Sequence, residues 1–297
     1  GFKFYVSGSN AKLLSKELGT KLTGRHVDLQ LKPFSFKEFL DMKNVSVGKT
    51  SAYQTQERAL LKKFFGEYLV KGGMPEFLFY GEQEVLARVY DDIVIKDIAV
   101  RHGVENTAQL KELYSLLITN FTAKFSLNSL KKTLDFGSVN TIKKFVSFLE
   151  ETHFAKIALK FDYSLKKQLV NEKKFYVADN AFLPVIAAKF TQDKGRLLEN
   201  LVFNSFPDGM SVYYYAGDKA ECDFVLCKNN QVRAAVQSCF ELNEENKRRE
   251  VNGLIQCINY LGLRTGLILT SDQEETIRVG EKTIEVKPAW KWLLENK

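Results

Sequence analysis

The sequence predicts a multidomain α/β protein. Three observations lead there. Strand-like and helix-like segments both occur, and the last part of the chain reads as a helix, three strands, a helix and a strand. The 297 residues are enough for about two domains. Their 45% apolar and 27% charged content is an ordinary globular balance that can bury a core without disulfide staples. The rhythm also changes along the chain, from helices to a strand ribbon and then to a strand-rich unit framed by two helices.

Each element follows from local signals. Phe2–Val6 reads as a buried strand already under way, Ala11–Leu18 as a short helix, and Val27–Leu31 as an alternating strand closed by Pro33. A strand at the first residues needs neighbours, so the chain is expected to be a fragment of something longer. Ser35-Phe36-Lys37-Glu38 has capping-box spacing and opens a helix. Gln54–Lys71 places Leu60, Leu61, Phe64, Phe65 and Tyr68 on helical spacing, and Gly72-Gly73-Met74-Pro75 ends it. Gln83–Arg101 is a second long helix. Thr107–Phe121, Ser126–Asp135 and Ser138–Thr152 follow as three helices, with Ser126 and Ser138 at N-cap positions. Ala155–Phe161 and Lys174–Val177 then form a strand ribbon around a charged turn, and three helices followed by a ribbon is a winged-helix pattern. Leu197–Phe206, strands at Val212–Tyr215, Cys222–Leu226 and Arg233–Phe240, a helix Glu244–Leu261 and a strand Thr265–Leu269 complete an α/β unit.

Composition excludes several classes. No apolar run approaches the roughly 18–20 residues that span a bilayer, and no signal peptide is visible, so a cytoplasmic protein without membrane contact is expected. Cys222, Cys227, Cys239 and Cys257 lack zinc-site spacing, and His26, His102 and His153 are scattered, so reduced buried thiols are expected. The formal charge of +7 is uneven. Residues 104–168 carry ten lysines against six acidic residues, whereas 169–297 sum to −1. That concentration favours 104–168 as any polyanion contact.

Gly48-Lys49-Thr50 imitates the end of a phosphate-binding loop, but Lys43 stands where the loop needs its first glycine, and no buried strand precedes it. It is expected to be an ordinary loop.

Several stretches taken in order carry more. Val6-Ser7-Gly8-Ser9-Asn10, Leu22-Thr23-Gly24-Arg25 and Leu31-Lys32-Pro33-Phe34-Ser35-Phe36-Lys37-Glu38-Phe39 come first. Gly72-Gly73-Met74-Pro75-Glu76, Asp91-Asp92-Ile93-Val94-Ile95-Lys96-Asp97-Ile98 and Gly195-Arg196-Leu197-Leu198-Glu199-Asn200 follow, then Glu221-Cys222-Asp223-Phe224 and Val236-Gln237. Together the chain resembles the C-terminal portion of bacterial and archaeal AAA+ type ATPases that carry a long C-terminal domain of unknown function. The resemblance implies four parts: the end of an AAA+ core with its sensor-1 strand (1–45), a helical lid (46–103), a winged helix-turn-helix (104–168) and a PD-(D/E)XK nuclease-like, restriction-endonuclease-like domain (169–297). It implies ATP and Mg²⁺ as cofactors of the intact protein. The Walker motifs lie upstream in that family, so no cofactor and no ATP hydrolysis are expected of this chain.

The resemblance also assigns candidate residues. Ser7, Ser9 and Asn10 at the sensor strand and Arg25 are the nucleotide-binding candidates, since hydroxyl and amide groups orient water and a guanidinium fork matches phosphate. The alternative is that Ser9-Asn10 caps a helix and Arg25 pairs with a carboxylate. Lys131, Lys132, Asn140, Lys143 and Lys144 on the second and third winged-helix helices are the nucleic-acid candidates, with Lys156, Lys160, Lys166 and Lys167 in the wing. The segment lacks arginine, the commonest reader of base edges, and a solvated face or a protein-docking face is the alternative. Glu199, Asp223 and Gln237 occupy the order of the nuclease constellation, with Glu199 and Asp223 as metal candidates and Glu221 on the same strand face as Asp223. Gln237 is neutral where a carboxylate is usual, and Cys239 stands where the lysine belongs, with Lys247 the nearest substitute and Arg248 beside it. The carboxylates could instead pair with Arg196 or Arg233. The expected function is a regulatory, partner-binding portion of an ATPase, with DNA or a protein as partner and its oligomeric state open. A metal-dependent nuclease and a plain protein-interaction module are the alternatives.

Overall fold

The computed structural model describes residues 27, 29–46, 48, 55–189, 192–218 and 220–295. The expected strand at 2–6, the helix at 11–18 and the Lys49-Thr50 pair lie outside the described residues. Residues 27 and 29–31 form no strand, and Val27, Leu29 and Leu31 are exposed. Alternation alone does not make a strand where no neighbour pairs with it.

The first body is helical. In α1 (Phe36–Met42) the Ser35 hydroxyl accepts the Glu38 N–H at 3.3 Å and the Glu38 carboxylate accepts the Ser35 N–H at 2.7 Å, the anticipated capping box. α2 (Thr55–Lys71) buries Leu61, Phe65, Tyr68 and Leu69 against Phe36 and Phe39, while Leu60 turns to solvent. α3 (Pro75–Tyr80) is an added short helix. α4 (Gln83–Asp92) runs without a break into a π-helical stretch, Ile93–Val100, at the Asp91–Ile98 motif.

A buried polar knot fastens this body to the rest. Gly72 has φ +67°, and a Cβ there would lie 1.7 Å from an Asp179 oxygen; one on Gly73 would lie 2.1 Å from the Phe34 carbonyl oxygen. The Asp179 carboxylate accepts the Gly73 and Ala181 N–H groups, each at 2.8 Å. The Asn180 amide donates to the carbonyls of Leu69 (2.7 Å) and Leu197 (3.0 Å). Asn200 pairs with both backbone groups of Val177 and donates to Asn180. The Gly72-Gly73 and Glu199-Asn200 motifs are therefore partly explained by packing, because every one of these buried polar groups must find a partner.

The second body begins with α5 (Thr107–Thr119), a two-residue strand β1 (Lys124–Phe125), α6 (Leu127–Thr133) and α7 (Val139–Glu151). Ser126 and Ser138 cap α6 and α7 through their hydroxyls, as expected. β2 (Ala155–Lys160) and β3 (Lys173–Val177) pair antiparallel, with β1 on the outer side of β3. α8 (Leu165–Val170) replaces the expected open turn between them. Residue 168, the division expected from the sequence, lies inside α8, between two paired strands.

Beyond it lie a short helix α9 (Leu183–Ile186), α10 (Lys194–Asn204), β4 (Ser211–Ala216), β5 (Glu221–Lys228), β6 (Gln231–Ser238), α11 (Lys247–Tyr260) and β7 (Thr265–Thr270). This is the predicted helix, three strands, helix, strand. β8 (Glu275–Val279), β9 (Lys282–Pro288) and α12 (Ala289–Glu295) extend it. Among the described residues every strand joins one nine-stranded sheet in the order β1-β3-β2-β4-β5-β6-β7-β9-β8. β4, β5 and β6 form an antiparallel meander, and α11 carries the chain across to β7, parallel to β6. All four cysteines are free and buried. Among the described residues no helix is long and apolar enough to cross a membrane.

Candidate functional site

Three carboxylates from two elements converge on one ammonium. Asp193 caps α10 by accepting the Gly195 and Arg196 N–H groups, and the helix then buries Leu197, Leu198 and Val202. That orientation sends Glu199 toward the sheet. β5 places Glu221 and Asp223 on one face, as strand alternation requires. β3 supplies Lys174, which follows Lys173, leads into the apolar Phe175-Tyr176-Val177 run and is 4% exposed. Its Nζ lies 3.0 Å from Glu199, 3.0 Å from Glu221 and 3.1 Å from Asp223.

The outer ring of contacts is also satisfied. Tyr176 donates its hydroxyl to Glu199 at 2.8 Å. The other Asp223 oxygen accepts the Ser238 N–H at 3.0 Å and the Ser238 hydroxyl at 3.1 Å. Lys124 pairs with Glu221 at the solvent side. Gln237 accepts the Asp223 N–H at 3.0 Å and donates at 2.7 Å to Glu250 of α11, so it reaches the cluster only through the Asp223 backbone.

Burial alone would depress the Lys174 ammonium, but Asp223, Glu199 and Glu221 outweigh it and hold its pKa well above the ordinary lysine value. Burial, aided by Asp223, pushes the Glu199 carboxyl up to about 7. Glu221, also desolvated, is nonetheless held below its usual value, chiefly by Lys174. Burial and Glu250 push the Cys239 thiol up to about 11, so it carries no charge at neutral pH.

The lysine at this site is Lys174. Lys247 pairs with Glu275 at 2.8 Å instead. Neither arginine takes the carboxylates. Arg196 bonds the carbonyls of Thr119 and Phe121 at the end of α5, and Arg233 bonds Gln231. Lys174, Tyr176, Ser238 and Glu250 are the members that sequence reasoning missed. A lysine pair leading straight into the apolar Phe175-Tyr176-Val177 run was the available signal. Among the described residues no group of three or more His, Cys, Asp or Glu side chains is arranged to hold a metal ion. Glu199 and Asp223, the metal candidates, both turn to Lys174.

Comparison with known proteins places the chain. Residues 1–40 match the family described as AAA domain, and residues 62–193 match the family described as Domain of unknown function (DUF8612). The chain is 34% identical over 313 residues to the Uncharacterized protein MJ1544 of Methanocaldococcus jannaschii, an alignment that covers 99% of this chain and 69% of that protein. The chain belongs to the family of that protein. It is also 34% identical over 247 residues to an Uncharacterized protein of Haemophilus influenzae, across 80% of this chain and 59% of that protein's length. No solved structure matches. The partial AAA domain makes this an ATPase-related family.

The remaining candidates divide by position. Ser7, Ser9, Asn10 and Arg25 lie in the AAA match but outside the described residues. Lys131 and Lys132 of α6 and Asn140, Lys143 and Lys144 of α7 are all exposed. Lys173 on β3 is half-buried, and burial together with the nearby Lys143 lowers its amine. Lys143 of α7 and Lys173 of β3 are thus near enough to feel each other's charge.

Proposed function

We propose that this chain is the regulatory and partner-binding C-terminal portion of an AAA+ type ATPase, acting in the cytoplasm, with DNA as the partner met by 104–168. The helical lid, winged helix and restriction-endonuclease-like unit of that reading correspond to the body of α1–α4, to α5–α7 with the β1-β3-β2 ribbon, and to α10 through β7. The observation that carries it is the lysine face of α6 and α7. Lys131, Lys132, Lys143 and Lys144 are exposed, and among the described residues none of them has a carboxylate in ion-pairing contact. Free lysines on adjacent helices suit a row of phosphates, and without arginine the contact would position DNA more than read its bases. ATP and Mg²⁺ would be bound by the intact protein. Electrophoresis with random duplex at low salt tests the reading. A shift lost when the four lysines become glutamine supports it, and no shift even at low salt removes it.

The nuclease-like unit is read as non-catalytic, because Gln237 and Cys239 replace the usual carboxylate and lysine and an ammonium stands among the remaining acids. One observation favours a second reading, a metal-dependent nuclease: Glu199, Glu221 and Asp223 do converge, with a lysine beside them. DNA cleavage with Mg²⁺ or Mn²⁺ that disappears on Glu199→Ala or Asp223→Ala would establish that reading.

A further inference from the structure

The cleft between β2 and the turn from α10 to β4 holds a lysine that the folded chain does not neutralise. Its volume is ≈ 290 Å³, and Ile157, Met210 and Val212 form its apolar side. Lys156 is paired in register with Tyr176, whose ring stacks on Phe203 at 3.8 Å. That register sets the Lys156 ammonium 6.0 Å from the centre of the Phe203 ring. Among the described residues no carboxylate lies within ion-pairing distance of it. Asp208, also in the lining, is paired with Lys32. Glu150, the other acid there, accepts the Ile157 N–H at 3.2 Å. Burial lowers the Lys156 amine and neighbouring Lys32 lowers it further, with only a partial offset from Asp208. A half-buried ammonium without a carboxylate in ion-pairing contact costs stability, and an anion bound beside it offsets that cost.

We propose that this cleft binds a small organic anion, with a carboxylate or phosphate set against Lys156 and an apolar body against Ile157, Met210 and Val212. The site does not depend on the DNA or nuclease readings. It lies where three parts of the chain meet: the segment carrying Lys32, the β2 ribbon strand and the α10–β4 turn.

Calorimetric titration of the full chain tests it with benzoate and phenyl phosphate, and with acetate and inorganic phosphate as probes lacking the apolar body. Benzoate or phenyl phosphate should bind more tightly than its truncated counterpart, and the tighter of the two identifies the anionic group. Lys156→Met should weaken that binding at least tenfold while leaving the unliganded protein melting at the same or a higher temperature, because an uncompensated charge is gone. Lys228→Met, at the exposed end of β5, should change neither. No saturable binding of any probe up to about 10 mM would overturn the proposal. So would binding unchanged in Lys156→Met, or a lower melting temperature of that variant, which would make the ammonium a structural group.

Discussion

Lys174 balances three carboxylates inside the protein, and its removal should be felt more than that of any surface lysine. Truncating one partner of a buried ionic cluster leaves the others uncompensated, a loss of about 3–5 kcal/mol. Lys174→Met should therefore lower stability by that order in urea unfolding at pH 7.5, and the deficit should shrink toward pH 5 as the abandoned carboxylates take up protons. Glu199 adds a pH dependence of its own. Its carboxyl is raised from an ordinary 4.5 to about 7, so between those values the folded chain keeps a proton that the unfolded chain has released. Stability then rises as pH falls through 7 and declines as pH rises. Asp179, raised by burial to about 6, acts in the same direction. Unfolding measured at pH 5.5 and pH 8 should show the wild type gaining at the lower pH, and Glu199→Gln should remove part of that gain, on the order of 1–3 kcal/mol.

At the scale of elements, the junction of α2, β3 and α10 is the least tolerant place in the fold. A methyl group on Gly73 would meet the Phe34 carbonyl oxygen at 2.1 Å, with backbone on the opposing side that cannot swing away. Gly73→Ala should cost at least about 2 kcal/mol in thermal or chemical unfolding, whereas Gly137→Ala, with open space around it, should cost far less. The elements legible in the sequence were those with local punctuation. Ser35, Ser126 and Ser138 marked helix starts because an N-cap needs only a hydroxyl and a free N–H nearby. The β8–β9 hairpin escaped notice because Glu275–Val279 and Lys282–Pro288 interleave charged residues with apolar ones and sit at the sheet edge. Lys174 escaped as an active member for a different reason. Its partners lie 25 and 49 residues away in sequence, and no local pattern reports a contact that only the folded sheet creates. Glu199 and Asp223 were legible through their motifs, but which cation they meet was not.

For the whole molecule, the continuous sheet decides how the parts behave. β2 and β3 are hydrogen-bonded across residue 168, and β2 passes directly to β4. Residues 104–168 and the strands beyond residue 168 thus share one sheet instead of meeting at a linker. Residues 104–295 should unfold in one cooperative transition, with circular dichroism and tryptophan fluorescence coincident. Two separated transitions would show independent domains. Charge is arranged on the same scale. Net positive charge is densest in 104–168, and the acidic convergence around Lys174 lies beyond it, so under the proposed reading a polyanion meets α6 and α7 first. The most direct test is the salt dependence of duplex DNA affinity by fluorescence anisotropy, wild type against the variant with glutamine at 131, 132, 143 and 144. Four phosphate contacts give a slope of log affinity against log salt near −3.6, at about −0.9 per contact. The wild type should show a slope of about that size, and the variant should lose nearly all of it. Equal slopes in the two proteins, or no binding at low salt, would contradict the proposed DNA contact.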